Sequence, residues 1–349
     1  MLRASYCRYF LAFNEPAKTS RATMRVKETF FVKVWDDAAP DVYGVGECAL
    51  FRGLSHDDTP DYESVLAQTC RYIHLVNVAD LPYSSMRFGF ETALLDLAKG
   101  GGCRLADTPW SRGESSIKIN GLVWMGNHDE MLGRIKSKVL AGFRCLKLKI
   151  GGIGFDEELD LIKRIRDRFT VGELELRLDA NEAFLPDEAE SKLDRLAYYG
   201  IHSIEQPIKR GQWELMADLA KNSPIPIALD EELIGCCDDR HKLELLRAIK
   251  PRYIILKPSL CGGFADSDRW ISFAESMGIG WWATSALESN VGLNAIAQWV
   301  SKYPLSMPQG LGTGMLYRNN IPSPLRQCDD SIEIAANGGW DLTGLVWKS

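Results

Sequence analysis

Histidine is scarce in this chain. Five are scattered through 349 residues, and no HExxH or comparable cluster appears, which argues against a zinc site. Cysteine is present nine times, an odd number, but never as CxxC. Cys236 and Cys237 are adjacent, a spacing that suits neither a zinc knuckle nor an easy disulfide. The expectation is a set of reduced thiols in a cytoplasmic protein. No apolar run reaches the roughly 18 residues of a membrane span. The opening segment, residues 1–14, carries Arg3 and Arg8 without an uninterrupted apolar stretch, so it does not read as a signal peptide. Excess positive charge is missing too. Lys and Arg number 41 against 47 Asp and Glu, a net charge of −6, and bulk charge therefore implies no nucleic-acid surface. The glycine triplet 100–102 has no strand before it and no basic residue after it, so it is a helix stop and linker rather than a phosphate loop.

What is there is a chain that is 46% hydrophobic and 25% charged, the balance of a soluble globular protein with one large domain or two unequal ones. Residues 29–35 and 43–50 read as antiparallel strands joined by a polar turn near Pro40. Residues 63–76 and 86–99 have helical periodicity. From about residue 115 the pattern changes. Candidate strands at 116–123, 145–150, 174–180, 201–206, 226–231, 253–259, 280–286 and, weakly, 307–313 alternate with amphipathic helical stretches such as 156–169 and 238–250. Eight strands at a period of one strand plus one helix predict parallel units that close into a barrel. The expected division is a capping domain at 1–110, a barrel at 111–318 and a tail at 319–349 that packs back on the cap.

The polar residues at the C-terminal ends of those strands form a series. They are Lys147 and Lys149, then Arg177, Asp179 and Asn181, then Glu205, then Asp230 with Glu231 and Glu232, then Lys257, then Thr284 and Ser285. Lys147 and Lys149 share one face of their strand, because side chains alternate. From Lys147 to Asp179, Glu205, Asp230 and Lys257 the steps are 32, 26, 25 and 27 residues, each one strand–helix unit. In a barrel these ends meet at one mouth, where active sites lie. Taken singly, Asp179 or Asp230 reads as a helix N-cap and the lysines as edge-strand charges; the ordered set argues otherwise. Three carboxylates without histidine or cysteine suit a hard cation, Mg²⁺ best, with Mn²⁺ as a substitute. Such an ion can hold a substrate carboxylate and stabilise the enediolate formed when the adjacent carbon loses its proton. Lysines beside it are expected to have lowered pKa values, so that a neutral one serves as general base.

The segments "LKLKI", "RLDAN", "IEQPI", "ALDEEL" and "ILKPSLCGG" resemble the enolase superfamily, in its muconate-lactonizing subgroup. "GECALFRGLS" (46–55), "RLDAN" (177–181), "SALESNVGLNAIAQW" (285–299) and "GLGTGMLY" (310–317) carry a closer similarity to its o-succinylbenzoate synthase family. That resemblance implies an α/β fold, a modified TIM barrel of (β/α)7β type with an α+β capping domain completed by the C-terminal tail. It implies a lyase that dehydrates 2-succinyl-6-hydroxy-2,4-cyclohexadiene-1-carboxylate in menaquinone synthesis. It makes Asp179, Glu205 and Asp230 the Mg²⁺ ligands, Lys149 the base and then the acid of a syn elimination, Lys257 the cation on the opposite side, and Lys147 an electrostatic support for Lys149. Asn181 and Arg177 would orient the metal site, and Glu231 would back the lysines. Ser285, Ala286 and Leu287 would line the substrate pocket, through backbone amides, while Thr19, Ser20 and Arg21 and the loop holding Phe51 and Leu54 belong to the cap over it. The partner is a small carboxylate, with no nucleic acid and no membrane; oligomeric state is not legible. An N-acylamino-acid racemase and a muconate-type cycloisomerase remain open. A dipeptide epimerase is disfavoured, because residues 307–317 hold no aspartate to take a substrate ammonium. A non-catalytic barrel would have no use for clustered buried charge.

Overall fold

The computed structural model describes residues 1–18, 23–236, 238–335 and 338–348. The first domain begins with a long antiparallel pair, β1 (Leu2–Lys18) and β2 (Thr23–Asp36), continued by β3 (Tyr43–Cys48). Two helices cover this sheet, α1 (Tyr62–Arg71) and α2 (Ser84–Ala98). Glycine allows the close approach of α2 to β3. A Cβ on Gly44 or Gly46 would lie 1.9 Å from the carbonyl oxygen of Ala93 or Gly89. Phe30, Val32 and Val34 of β2 pack there with Tyr62, Leu66 and Phe90. The triplet Gly100, Gly101 and Gly102 takes φ of 90, 83 and 84°, left-handed backbone that ends α2 as expected.

The second domain is a ring of parallel strands and helices. Strand β4 (Ile117–Lys118) leads to β5 (Gly121–Val123), α3 (His128–Leu140), β6 (Cys145–Lys149), α4 (Phe155–Arg166), β7 (Glu175–Asp179), α5 (Ala189–Ala197) and β8 (Ser203–Glu205). Then follow α6 (Trp213–Asn222), β9 (Ile227–Leu229), α7 (Asp239–Ile249), β10 (Tyr253–Leu256), α8 (Gly263–Ser276), β11 (Gly280–Ala283) and α9 (Asn290–Val300). Local chemistry fixes several of these helices. Asn127 and Glu130 form a reciprocal capping box at α3. In α4, Asp156, Glu157 and Glu158 open the helix and Lys163, Arg164 and Arg166 close it, matching its dipole. Strands β5 to β11 pair in order. The eighth position is occupied by Gln309 and Gly310, which bridge Ile119 and Thr284 respectively and complete the ring. The outward faces of the strands, Leu146, Leu148, Leu176 and Leu178 among them, fill the layer beneath the helices.

Several elements differ from the sequence expectations. Residues 2–18, given no element, form the longest strand. Its burial pattern is irregular because one edge of the sheet faces solvent, and this hides the alternation. The segment 116–123 is two strands. Ile117 and Lys118 pair with β13 (Ser331–Ile334), itself paired with β12 (Leu325–Cys328), while 121–123 pairs with β6 in the ring. The tail therefore divides. Residues 325–334 extend the foot of the barrel, while Trp340, Leu342, Leu345 and Trp347 pack on Cys7 and Phe31 of the cap and Lys348 bridges Tyr6. Among the described residues no helix is long and apolar enough to cross a membrane.

Candidate active site

Register gathers the polar series. Lys149 on β6 is paired with Asp179 on β7, and Asp179 with Glu205 on β8. Glu205 is level with Ala228 on β9, and Asp230 lies two residues further along, on the same face. Lys257 follows β10. The Lys147 ammonium sits 2.8 Å from Asp179 Oδ2 and 2.5 Å from Glu205 Oε2. Lys149 Nζ donates to Asp179 Oδ2 at 2.5 Å and to Asn181 Oδ1 at 2.7 Å. Lys257 is ion-paired with Asp230. The amide of Asn181 donates in turn to Glu231 Oε1 at 3.0 Å, so Glu231 stands behind the residue that holds Lys149.

The charges act on one another through dry protein. Burial penalises the Lys147 cation, but Asp179 and Glu205 outweigh this and raise its pKa. Lys257 is likewise raised, by Asp230 and Glu231 against burial. Only Lys149 is lowered, first by burial, with Lys147 and Lys257 adding repulsion against the attraction of Asp179. Lys147 and Lys257 are held charged by Asp179, Glu205 and Asp230, the same carboxylates that the sequence assigns to a cation. Asp179 is pulled well down by Lys147 and Lys149 in spite of burial. Glu205 is pushed well up by burial and by repulsion from Asp179 and Asp230.

Above these groups lies a cavity of about 670 Å³, counting its open mouth. Lys147, Lys149, Asn181 and Lys257 form its floor, and Ser285, Ala286 and Leu287 one wall. Met24, Phe51 and Leu54 reach it from the cap. Asn120, Leu122 and Trp124 form a wall that the sequence reading missed. Their spacing of two on a strand was the signal available.

Two expectations need correction. Arg177 does not line the cavity. Its guanidinium donates to Glu175 and the Pro308 carbonyl and lies 4.3 Å from the Trp282 ring centroid. It shares a face with Asp179 but sits one pleat repeat lower. The backbone amides of the 285–287 wall are already used. Ser285 N–H donates to the Gly310 carbonyl, Ala286 N–H to Glu288, and Leu287 N–H to the Ser285 hydroxyl. Thr19, Ser20 and Arg21 lie outside the described residues.

Among the described residues no group of three metal-ligating side chains is disposed around a single point; Lys147 is paired with Asp179 and Glu205, and Lys257 with Asp230. The donor set nevertheless fits a hard cation. It is all oxygen, and Glu205 Oε1 is buried with no hydrogen-bond partner.

The sequence and the fold were compared with known proteins. A family model described as "Enolase C-terminal domain-like" matches residues 130–341. An o-succinylbenzoate synthase from Desulfotalea psychrophila is 44% identical over 359 aligned positions, covering 93% of this chain and 96% of that protein. The chain belongs to the o-succinylbenzoate synthase family of the enolase superfamily. It is an enzyme of that family. The crystal structure of MenC from D. psychrophila superposes with a TM-score of 0.85 at 40% identity, covering 95% of this chain and 99% of that one. A dipeptide epimerase from Cytophaga hutchinsonii, complexed with Mg and D-Ala-L-Val, superposes with a TM-score of 0.84, covering 100% and 99% of the two chains. At 21% identity, that likeness speaks to the fold alone.

Proposed function

We propose that the chain catalyses the reaction of its family: loss of water from 2-succinyl-6-hydroxy-2,4-cyclohexadiene-1-carboxylate to give 2-succinylbenzoate, a step of menaquinone synthesis. One observation carries this reading. Lys149 and Lys257 come from opposite sides of the ring to one cavity, over Asp179, Glu205 and Asp230.

Asp179, Glu205 and Asp230 would hold a divalent cation, Mg²⁺ by preference. Bound there, it would supply a Lewis acid for the substrate carboxylate. A cation at these oxygens would compete with Lys147 for Asp179 and Glu205 and with Lys257 for Asp230, and would relieve the repulsion that raises Glu205. Lys149 is the base. Burial and two neighbouring ammonium groups favour its neutral form. It removes the proton from the carbon bearing the carboxylate and returns it to the hydroxyl leaving the next carbon on the same face. One C–H and one C–O bond break, the ring becomes aromatic, and water leaves. Asn181, backed by Glu231, fixes the Lys149 amine in position. Lys257 acts in its charged form. From the other side of the ring it attracts the electron pair released towards the carboxylate, and the diene through a cation–π contact. Lys147 supports Lys149 by its charge.

The opposed lysines also favour a second reading, racemisation of an N-acylamino acid with Lys257 as the second base. That reading needs Lys257 neutral, whereas dehydration needs it charged. An absorbance assay with the cyclohexadiene acid, run beside N-succinyl amino acids and dipeptides, tests the assignment. Turnover of the diene acid is expected; turnover of an amino-acid substrate alone would overturn it.

A further inference from the structure

Three side chains bring the cap to the cavity: Met24, Phe51 and Leu54. Phe51 and Leu54 stand on one loop, residues 49–61, between β3 and α1. Two buried carboxylates, Glu47 and Asp57, stand on either side of this pair in the chain. Each of them ends at the start of a helix.

Glu47 of β3 is fully buried and accepts from the Thr29 hydroxyl of β2 at 2.8 Å. Across the domain boundary it accepts from the Ser289 N–H at 3.0 Å, the Ser289 hydroxyl at 2.6 Å and the Gly292 N–H at 3.0 Å. Ser289 is the N-cap of α9, and Gly292 is the third residue of that helix. In a capping box the third residue returns a carboxylate to the N-cap N–H. Here that residue is glycine, and Glu47 takes the part from the other domain. Glycine also leaves room for it, since a Cβ on Gly292 would lie 2.8 Å from Glu47 Oε2. The cap domain thus completes the start of the barrel helix that follows the cavity wall 285–287.

Asp57 accepts from the Ser84 N–H at 3.2 Å and the Ser85 N–H at 2.7 Å, the first two residues of α2. The N-cap of α2 is Tyr83, whose side chain makes no capping hydrogen bond, and Asp57 supplies the missing acceptor. Between the two carboxylates the loop braces itself. Asp58 accepts from Arg52 at 2.7 Å and from the Gly53 N–H at 2.7 Å, and the Ser55 hydroxyl accepts from the Phe51 N–H at 3.0 Å.

We propose that Glu47 and Asp57 are positioning residues. Asp57 fixes the loop to the cap's own helix, and Glu47 fixes the root of the loop to the barrel, so that Phe51 and Leu54 meet the substrate already in place against the wall 285–287. A pocket ordered in advance binds at a lower entropic cost. The kinetic consequence rests on the dehydration reading above.

In Glu47→Gln one carboxylate oxygen becomes an amide nitrogen that faces donors. KM for the diene acid is expected to rise about fivefold with kcat within about twofold, since the cap touches substrate but does not react. Asp57→Asn acts through the loop alone and should raise KM about threefold. Melting temperatures of both are measured alongside. Wild-type KM in both variants, with only a lower melting temperature, would show a merely structural role and overturn the proposal. Should Glu47→Gln fail to fold, Ser289→Ala removes only one of the hydrogen bonds that Glu47 accepts, and a rise in KM of about twofold or more is required of it. Amide hydrogen exchange gives a readout without substrate. It is expected to quicken over residues 49–58 in both variants and over residues 285–293 in Glu47→Gln alone. Unchanged protection of 285–293 in Glu47→Gln overturns the link between the domains. If the wild type does not turn over the diene acid at all, the functional reading fails while the exchange result still decides the positioning claim.

Discussion

Lys149 and Lys257 face one another across the barrel mouth. Their strands, β6 and β10, are second and sixth in a ring of eight positions, and both side chains line one cavity. A flat substrate between them presents one face to each amine. Their surroundings then divide the labour. Lys149 is the only one of the three floor lysines whose pKa is lowered, burial being the largest cause, while that of Lys257 is raised by Asp230 and Glu231 against burial.

Lys149→Ala is expected to lower kcat by about a hundredfold or more, the scale of a lost general base. Asp179 keeps Lys147 as a partner at 2.8 Å, so the fold and the binding of Mn²⁺ should survive. Turnover is followed by absorbance and folding by circular dichroism. Near-normal turnover would reject Lys149 as the base.

Chelation should abolish activity, and Mg²⁺ or Mn²⁺ should restore it. Asp179→Asn should weaken Mn²⁺ binding, measured by calorimetry on the protein without substrate. Full activity in excess EDTA would give the carboxylates another role.

Gly46→Ala should destabilise the cap by about 3 kcal/mol, the upper range for overpacking. Its new Cβ would meet the Gly89 carbonyl oxygen at 1.9 Å, and that atom belongs to the backbone of α2 and cannot swing aside. Gly133→Ala is the control. It lies inside α3 with nothing within 4 Å of the added Cβ, and alanine there should leave stability equal or higher. Urea titration of both variants decides. Equal stabilities would mean that the sheet and α2 can separate at little cost.

Glu91 supplies a pH dependence. Burial raises its pKa from 4.5 to about 7, against hydrogen bonds from the Phe264 and Ala265 N–H groups. Between those values the folded chain keeps a proton that the unfolded chain loses. Its contribution to stability therefore falls as pH rises through that window and is constant above it. Glu91→Gln cannot titrate, so its stability should fall less than that of the wild type between about pH 5 and about pH 7. Parallel slopes in urea unfolding would contradict this.

The site was legible to the extent that it obeys strand periodicity. Asp179, Glu205, Asp230 and Lys257 each end a strand, and one strand–helix unit separates each from the next, so their convergence follows from the fold class. Periodicity gives the face of a residue but not its depth, which is why Arg177 was placed with Asp179 when it lies below, against Trp282. The wall 285–287 was found, but the use of its amides was not. Their partners Gly310 and Glu288 are fixed by how the eighth strand and the following loop return. Glu47 carried no local signal at all. Its hydrogen bonds join β3 to a loop some 240 residues away in sequence, and only the packed interface defines them.

The eighth position of the ring consists of two isolated bridges, Ile119 to Gln309 and Thr284 to Gly310, where other neighbours share continuous ladders. This seam runs between Asn120 on one wall of the cavity and Ser285 on another. Backbone hydrogen bonds close it on both sides: Gln309 N–H to the Lys118 carbonyl and Asn120 N–H to the Gln309 carbonyl, Gly310 N–H to the Ala283 carbonyl and Ser285 N–H to the Gly310 carbonyl. One short segment, Gln309 and Gly310, thus braces two walls of the cavity against each other, while the lysines and carboxylates stand on other strands.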